Sequence, residues 1–324
     1  MVGCKTMNPI ALSHISSYIP SKKIDIPEVA RMINAVDYPF SKSDIDRFDS
    51  NLGFKCVPIE EKLSLEEMLY KACTPTICKL QKEGKAIDRI ILTRTSQIYW
   101  HEQNIFRKLM HDYDLLDIPT FSVAQQNCAS IHTSLLLAQQ LLNSNEEMEG
   151  ILLVSGDKAF HPSLRRIPDS LLGDSASCCY LSKNLKGNHH TIQIIKNNVD
   201  AVTYNGVNST PNQLEWFNTT YYFAIRQIVR EVLKEANLTL EQISLIIGSN
   251  ANYKTWLKVS EILDFPIEKF YTDTIDKVGH LYCSDILFNL QMIDIEKKIK
   301  PGSYYLTITV GLGGTYGCAL HQYL

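Results

Sequence analysis

Hydrophobic residues fall in short runs through both halves of the chain, and the runs recur in the same order. Asp88-Arg89-Ile90-Ile91-Leu92-Thr93, following Ala86-Ile87, has the pattern of a buried strand that runs into a loop. Ser244-Leu245-Ile246-Ile247-Gly248-Ser249 repeats it. Phe121-Ser122-Val123 leads through a polar loop to Cys128 and a helical run, Ser130–Leu142. Lys269-Phe270-Tyr271 leads to Gly279-His280 and a second helical run, Tyr282–Met292. A third pair is strand, Gly-containing turn, strand. Ile151–Val154 runs on to Gly173–Tyr180, and Tyr305–Ile308 runs on to Gly311–Leu320.

The spacings agree. Ile90 and Cys128 are 38 residues apart, and Leu245 and His280 are 35 apart. Cys128 to Ile151 is 23 residues, and His280 to Tyr304 is 24. An internal repeat of this kind organises a fold more than any single element does. It predicts two α/β halves, 1–183 and 184–324, related by a pseudo-twofold axis. Asn184–Gln213 reads as the linker, with a strand at Thr191–Ile195 inside it. Phe217–Ala236 reads as an amphipathic helix, and Leu238–Glu241 as the opening of another. The repeat also puts Cys128 and His280 at matching helix starts, where a pseudo-twofold would bring a thiol and an imidazole together.

Composition narrows the function classes. Net charge is −3, from 32 basic and 35 acidic residues, so no basic bias argues for a nucleic-acid partner. No stretch approaches the ~18 apolar residues of a membrane helix. Met1-Val2-Gly3-Cys4-Lys5 lacks the apolar core of a signal peptide, and the expectation is a cytoplasmic protein. Nine cysteines without a Cys-x-x-Cys pair fit reduced thiols. Cys178-Cys179 reads as core. His189-His190 lacks partners at metal-ligand spacing, and His101 and His132 read as structural. With no phosphate loop and no Gly-x-Gly-x-x-Gly, no metal or cofactor is expected.

Five motifs, in order, resemble the ketoacyl synthase III branch of the thiolase superfamily. They are Ile15–Pro20, Leu52-Gly53-Phe54-Lys55, Asn127-Cys128-Ala129-Ser130, Leu172-Gly173-Asp174-Ser175-Ala176 and Gly311–Leu320. The resemblance implies a duplicated αβαβα fold, a homodimer, and an acyl group carried on Cys128 as a thioester. It implies an oxyanion hole made by the backbone N–H groups of Cys128 and Gly313.

The family's Cys-His-Asn triad is altered here. Ser249, in Ser249-Asn250-Ala251-Asn252, occupies the histidine position. His280, in Val278-Gly279-His280, occupies the asparagine position. The expectation is a Cys128–His280 dyad for acyl transfer, with His280 as general base and Ser249 orienting it. The substrate would be an acyl carrier protein or coenzyme A thioester. The alternatives are a decarboxylative condensing enzyme, with Ser249 and His280 as donors, and a catalytically degenerate subunit of a heterodimer. The family's adenine-sandwiching residues match about Arg47 and His161, so that sandwich is lost. Lys254 and Lys258 share one helix face and match its carrier-docking position.

Overall fold

The computed structural model describes residues 7–36, 39–95, 105–187, 190–203 and 208–324; His101 and His189 lie outside them. Ten strands form one sheet. The first half supplies β1 (Ile10–Tyr18), β2 (Arg89–Thr93), β3 (Thr120–Val123), β4 (Gly150–Asp157) and β5 (Ser175–Ser182). The second supplies β6 (His190–Val199), β7 (Ile243–Gly248), β8 (Phe270–Tyr271), β9 (Tyr304–Gly311) and β10 (Thr315–Tyr323). The order is β8-β7-β9-β10-β6-β1-β5-β4-β2-β3, so the second five strands mirror the first across the antiparallel β1–β6 junction. This is the duplicated thiolase architecture.

Helices complete the layers. Helix α1 (Leu65–Lys82) covers the outer face of the first five strands, burying Met68, Leu69 and Ile77 against Leu152, Val154 and Cys178. Helices α2 (Ser130–Ser144), α3 (Pro211–Ala236), α4 (Tyr253–Leu263) and α5 (Asp285–Glu296) follow. Helices α3 and α4 cover the outer face of the second five. Helices α2 and α5 lie between, sharing one core with Ile151, Leu153, Ile247 and Tyr305. Successive residues of β4 therefore face two cores, Ile151 and Leu153 inward, Leu152 and Val154 outward. That is why the run reads apolar throughout instead of alternating. Helix α5 is buried from Asp285 to Leu290, so it carries no polar face.

Three expectations are corrected. The stretch 184–213 is not simply a linker: its middle is β6, ten residues paired with β1 and β10 that extend the expected strand at both ends. The strand lies in the middle of the sheet, but most of its residues from Gln193 onward are only half-buried and several are polar, which masks its pattern. Leu240–Gln242 is a 3-10 turn into β7, closed by the reciprocal bonds of Thr239 and Gln242, not a helix start. Helix α3 begins at Pro211, six residues before the amphipathic stretch. Thr210 and Gln213 form a capping box, and proline suits the first turn.

Beneath α2 lies a buried polar chain. His132 bonds Thr309 at 2.7 Å and Thr307 at 2.9 Å, and Thr307 bonds His321 at 2.9 Å. Both rings are fully buried. Burial pushes His132 down to about 3 and His321 well below its ordinary value. A depressed histidine contributes stability above its unfolded value near 6.5 and loses it as pH falls towards the folded value. Each neutral ring is thus expected to cost about 1.4 kcal/mol of unfolding free energy per pH unit on acidification below 6.5. Urea unfolding at pH 7, 6 and 5 reads the slope. His321→Gln should flatten it, and an unchanged slope would remove His321 from the account.

Candidate functional site

Two helix starts build the site. On the first-half side, β3 leads to a 3-10 turn, Asn127–Ala129, and then to α2. Asn127 opens the turn at φ 50°, a conformation asparagine tolerates better than most residues. Its Nδ2 donates to the Leu312 carbonyl, which ties the turn to the Gly-rich turn between β9 and β10. Cys128 sits in the middle of the turn and is 7% exposed.

On the second-half side, a helical turn, Ile275–Val278, ends at Gly279 with φ 62°. His280 follows, its backbone gripped on both sides. Its N–H donates to Leu171 O at 2.9 Å, and its carbonyl accepts from Gly173 N at 3.0 Å. The Leu172-Gly173-Asp174 motif therefore positions the imidazole. A side chain at Gly173 would strike the Pro58 ring, so only glycine lets the two segments meet.

The structure brings Cys128 and His280 together, with Sγ and Nε2 3.1 Å apart. The symmetry behind this differs from the expectation. The true counterpart of Cys128 is Cys283. Tyr282–Ser284 is the matching 3-10 turn, also opened by a residue at positive φ, Tyr282 at 54°. His280 stands three residues before that thiol and reaches across the axis. Thr95 Oγ1 lies between the two sulfurs, 3.8 Å from Cys128 and 3.4 Å from Cys283.

Ser249 is not the group that orients His280. His280 Nδ1 bonds Asp285 Oδ2, and both ring nitrogens are then occupied. Ser249 is buried in the link between β7 and α4. Its carbonyl accepts from Trp256 Nε1 at 2.8 Å and its N–H donates to Ile308 O at 3.0 Å.

Asp285 is fully buried at the first position of α5, where the positive end of the helix favours a carboxylate. It also accepts from Leu281 N at 2.7 Å and Asn250 N at 2.6 Å. Because a carboxylate only accepts, Nδ1 carries a hydrogen and Nε2 faces the sulfur. Burial works against a charged ring, but Asp285 and Cys128 outweigh it and hold His280 well above its ordinary value. Asn250 fixes the surroundings. Its Nδ2 donates to Gly279 O at 3.0 Å, and its Oδ1 accepts from Asn289 at 3.0 Å and Thr274 at 3.2 Å.

The sequence reading missed Asp285, Asn250 and Thr95. A signal existed for Asp285. It is the one charged residue of the helical run Tyr282–Met292, five residues after the histidine.

Gly313 lies in the turn that Asn127 holds, at φ 105°. A Cβ at neighbouring Gly311 would run into the Gln126 carbonyl, so the turn approaches the Cys128 loop backbone to backbone. Among the described residues, neither the Cys128 nor the Gly313 N–H has an acceptor.

The peripheral residues fall elsewhere. Lys254 and Lys258 are exposed on α4, and Lys258 pairs with Glu261 at 2.7 Å. Arg47 is bound to Pro168 O and Asp169. His161 caps a short 3-10 turn through Ser163.

Comparison with known proteins bears on the fold that carries these residues. Residues 233–323 match the family model for the C-terminal part of 3-oxoacyl-[acyl-carrier-protein] synthase III. The beta-ketoacyl-[acyl-carrier-protein] synthase III of Wolbachia pipientis wMel is 28% identical over 98% of this chain and 100% of its own. That of Aquifex aeolicus is 32% identical over 31% of this chain and 32% of its own. Among solved structures, the acyltransferase ChlB3 superposes with a TM-score of 0.82 at 15% identity, over 97% of this chain and 98% of that one. OleA of Xanthomonas campestris (E117D) gives 0.81 at 12% identity, over the full length of both chains. The Pseudomonas aeruginosa synthase III gives 0.79 at 15%, over 98% of each.

Proposed function

The chain is a ketoacyl synthase III-like member of the thiolase superfamily, and on that premise we propose that it is an acyltransferase in which Cys128, His280 and Asp285 act as a triad. The observation that carries this reading is the carboxylate behind His280. A neutral partner suits a histidine that only donates to an enolate oxygen; a buried carboxylate suits one that takes and returns a proton.

The steps follow from the contacts. The Cys128 proton goes to His280 Nε2, and the sulfur attacks the carbonyl of an acyl thioester. The Cys128 and Gly313 N–H groups face the developing oxyanion, each worth roughly 2.7–4 kcal/mol in comparable sites. The tetrahedral intermediate expels the carrier thiolate, which takes the proton from His280. Acylation also removes the sulfur charge that supported the protonated ring. The neutral imidazole, its Nδ1 hydrogen held by Asp285, then accepts the proton of an incoming hydroxyl or amine. Collapse releases the product and restores the starting pair.

The donor thioester is borne by an acyl carrier protein or by coenzyme A. Arg47, bound to Asp169, and His161, bound to Ser163, leave no aromatic sandwich for an adenine. That favours the carrier protein, with Lys254 on the docking face. We read the protein as a cytoplasmic homodimer serving a specialised biosynthetic pathway.

Intact-mass spectrometry tests the reading. The protein is incubated with acyl-carrier-protein and acyl-CoA thioesters of varied chain length, and separately with malonyl thioesters. The expected result is one acyl mass gained and no CO2 released from malonyl thioesters. CO2 release would favour decarboxylative condensation instead. No mass gain with any donor would favour a degenerate subunit and overturn the triad.

A further inference from the structure

The turn that carries Gly313 does not fix its own shape. Gly313 and Gly314 stand at φ 105° and 85°, and a glycine leaves such a state at little cost. An oxyanion donor has to lie about 2.7–3.1 Å from the developing charge, and such sites tolerate displacements of only about 0.5 Å. The turn therefore depends on what holds it from outside.

Two contacts do so. Asn127 holds the Leu312 carbonyl. The other contact comes from Asp200, the first residue past β6. Its N–H donates to Gly314 O at 2.7 Å, and a Cβ at Gly314 would strike its carbonyl. The β6–β10 ladder thus runs one residue beyond the Val199–Thr315 pair and ends on the turn.

Asp200 is fixed by the start of α3. Its carboxylate accepts from Val202 N at 3.0 Å and from Trp216 Nε1 at 2.8 Å. The Val202 carbonyl accepts from Gln213 Nε2 at 2.8 Å, and Gln213 also completes the Thr210 cap. Gln213 and Trp216 are three residues apart and share one face of the helix. Further along, α3 is anchored in the outer core by Ile225, Ile228 and Val229. The indole is 50% exposed, so burial accounts for its position less than the charge-assisted bond to Asp200 does. The bonds of Cys128 and His280 involve neither residue.

We propose that Asp200 and Trp216 are positioning residues, a strap from α3 that holds the Gly313 N–H in place for the oxyanion. Loosening the strap then slows acylation without weakening donor binding. The role in catalysis rests on the acyl-transfer reading; the strap itself rests on the contacts.

Two variants test it in the full chain. Trp216→Phe keeps a ring and removes its donor. Asp200→Asn keeps an acceptor for Val202 N while turning an NH2 group towards Trp216. Single-turnover acylation, followed by quenched-flow mass spectrometry, is expected to slow by about tenfold at saturating donor in each variant. Half-saturation by donor should stay within about twofold. The double variant should be no slower than the slower single one, because both changes remove the same bond. Hydrogen exchange over 199–203 and 311–315 should quicken several-fold in both variants, with 225–236 unchanged.

Unchanged exchange in both variants would overturn the strap, whether or not the wild type is acylated. Faster exchange with an unchanged acylation rate would overturn the positioning role. So would a loss confined to half-saturation, which would make Trp216 a donor contact. A wild type that takes no acyl group would fail the acyl-transfer reading, and the exchange comparison would still decide the strap.

Discussion

Cys128→Ala is expected to gain no acyl mass from any thioester that loads the wild type, and to lose turnover by about a million-fold. The size of the effect follows from the arrangement. The sulfur is the one atom that both halves of the reaction pass through, since it receives the acyl group and later surrenders it. Removing it strands His280, whose Nε2 then faces an empty place 3.1 Å away. Donor binding should survive, because the Gly313 turn and the exposed face of α4 are untouched. The contrast between retained donor binding and lost loading is the informative result. A loaded Cys128→Ala protein would move the nucleophile elsewhere. Cys283 is the thiol to examine in that case, since it occupies the symmetry-related turn beside Thr95.

Asp285→Asn is expected to lower turnover by about 10,000-fold at neutral pH, with a much smaller change in donor KM. The substitution keeps the size of the side chain but exchanges an acceptor for a donor opposite Nδ1. The ring is pushed towards the tautomer that points its hydrogen at the sulfur, and the charge supporting the imidazolium is gone. Stability should fall as well, by up to about 3–5 kcal/mol, because one member of a buried charged pair loses its partner.

The pH dependence gives an independent reading. His280 is held well above its ordinary value, with Asp285 as the first supporting charge against burial. A raised histidine contributes stability that is fully present below its unfolded value near 6.5 and is lost as pH rises through the folded value. In the variant, that alkaline loss should shrink. NMR titration of the ring should move towards or below 6.5. A His280 titration unchanged by Asp285→Asn would show that the carboxylate does not govern the ring.

Legibility in the sequence followed burial. Strands β2, β4, β7 and β9 each carry a short apolar run that is largely buried, so they and their repetition could be read directly. Strand β6 could be read only at Thr191–Ile195, because the rest of its length runs through Lys196, Asn197 and Asn198 and is only partly covered. The first turns of α3 were lost for a related reason: Asn212 to Thr219 face outward or are half-buried, so no apolar stripe marks them. The capping residues Thr210 and Gln213 were the readable signal there. In the candidate site, Cys128 and His280 were legible as residues at helix starts. Asp285 was not, because its role depends on a turn in the chain that no periodicity encodes.

The sequence by itself determined local conformation and chemical inventory: which segments bury both faces, where glycine permits a turn, and which helix starts carry a thiol or an imidazole. Those properties depend on near neighbours along the chain. The tertiary structure decided which groups meet. Packing α2 against α5 set Cys283, not His280, as the partner of Cys128 in symmetry, a shift of three residues. The grip of Leu171 and Gly173 on the His280 backbone then turned the imidazole across the axis. Asp285, anchored by Leu281 and Asn250, replaced Ser249 behind it. Contacts between segments this far apart depend on how layers stack and on distances of about 3 Å. A one-dimensional pattern records that a residue is buried, and leaves open what it is buried against.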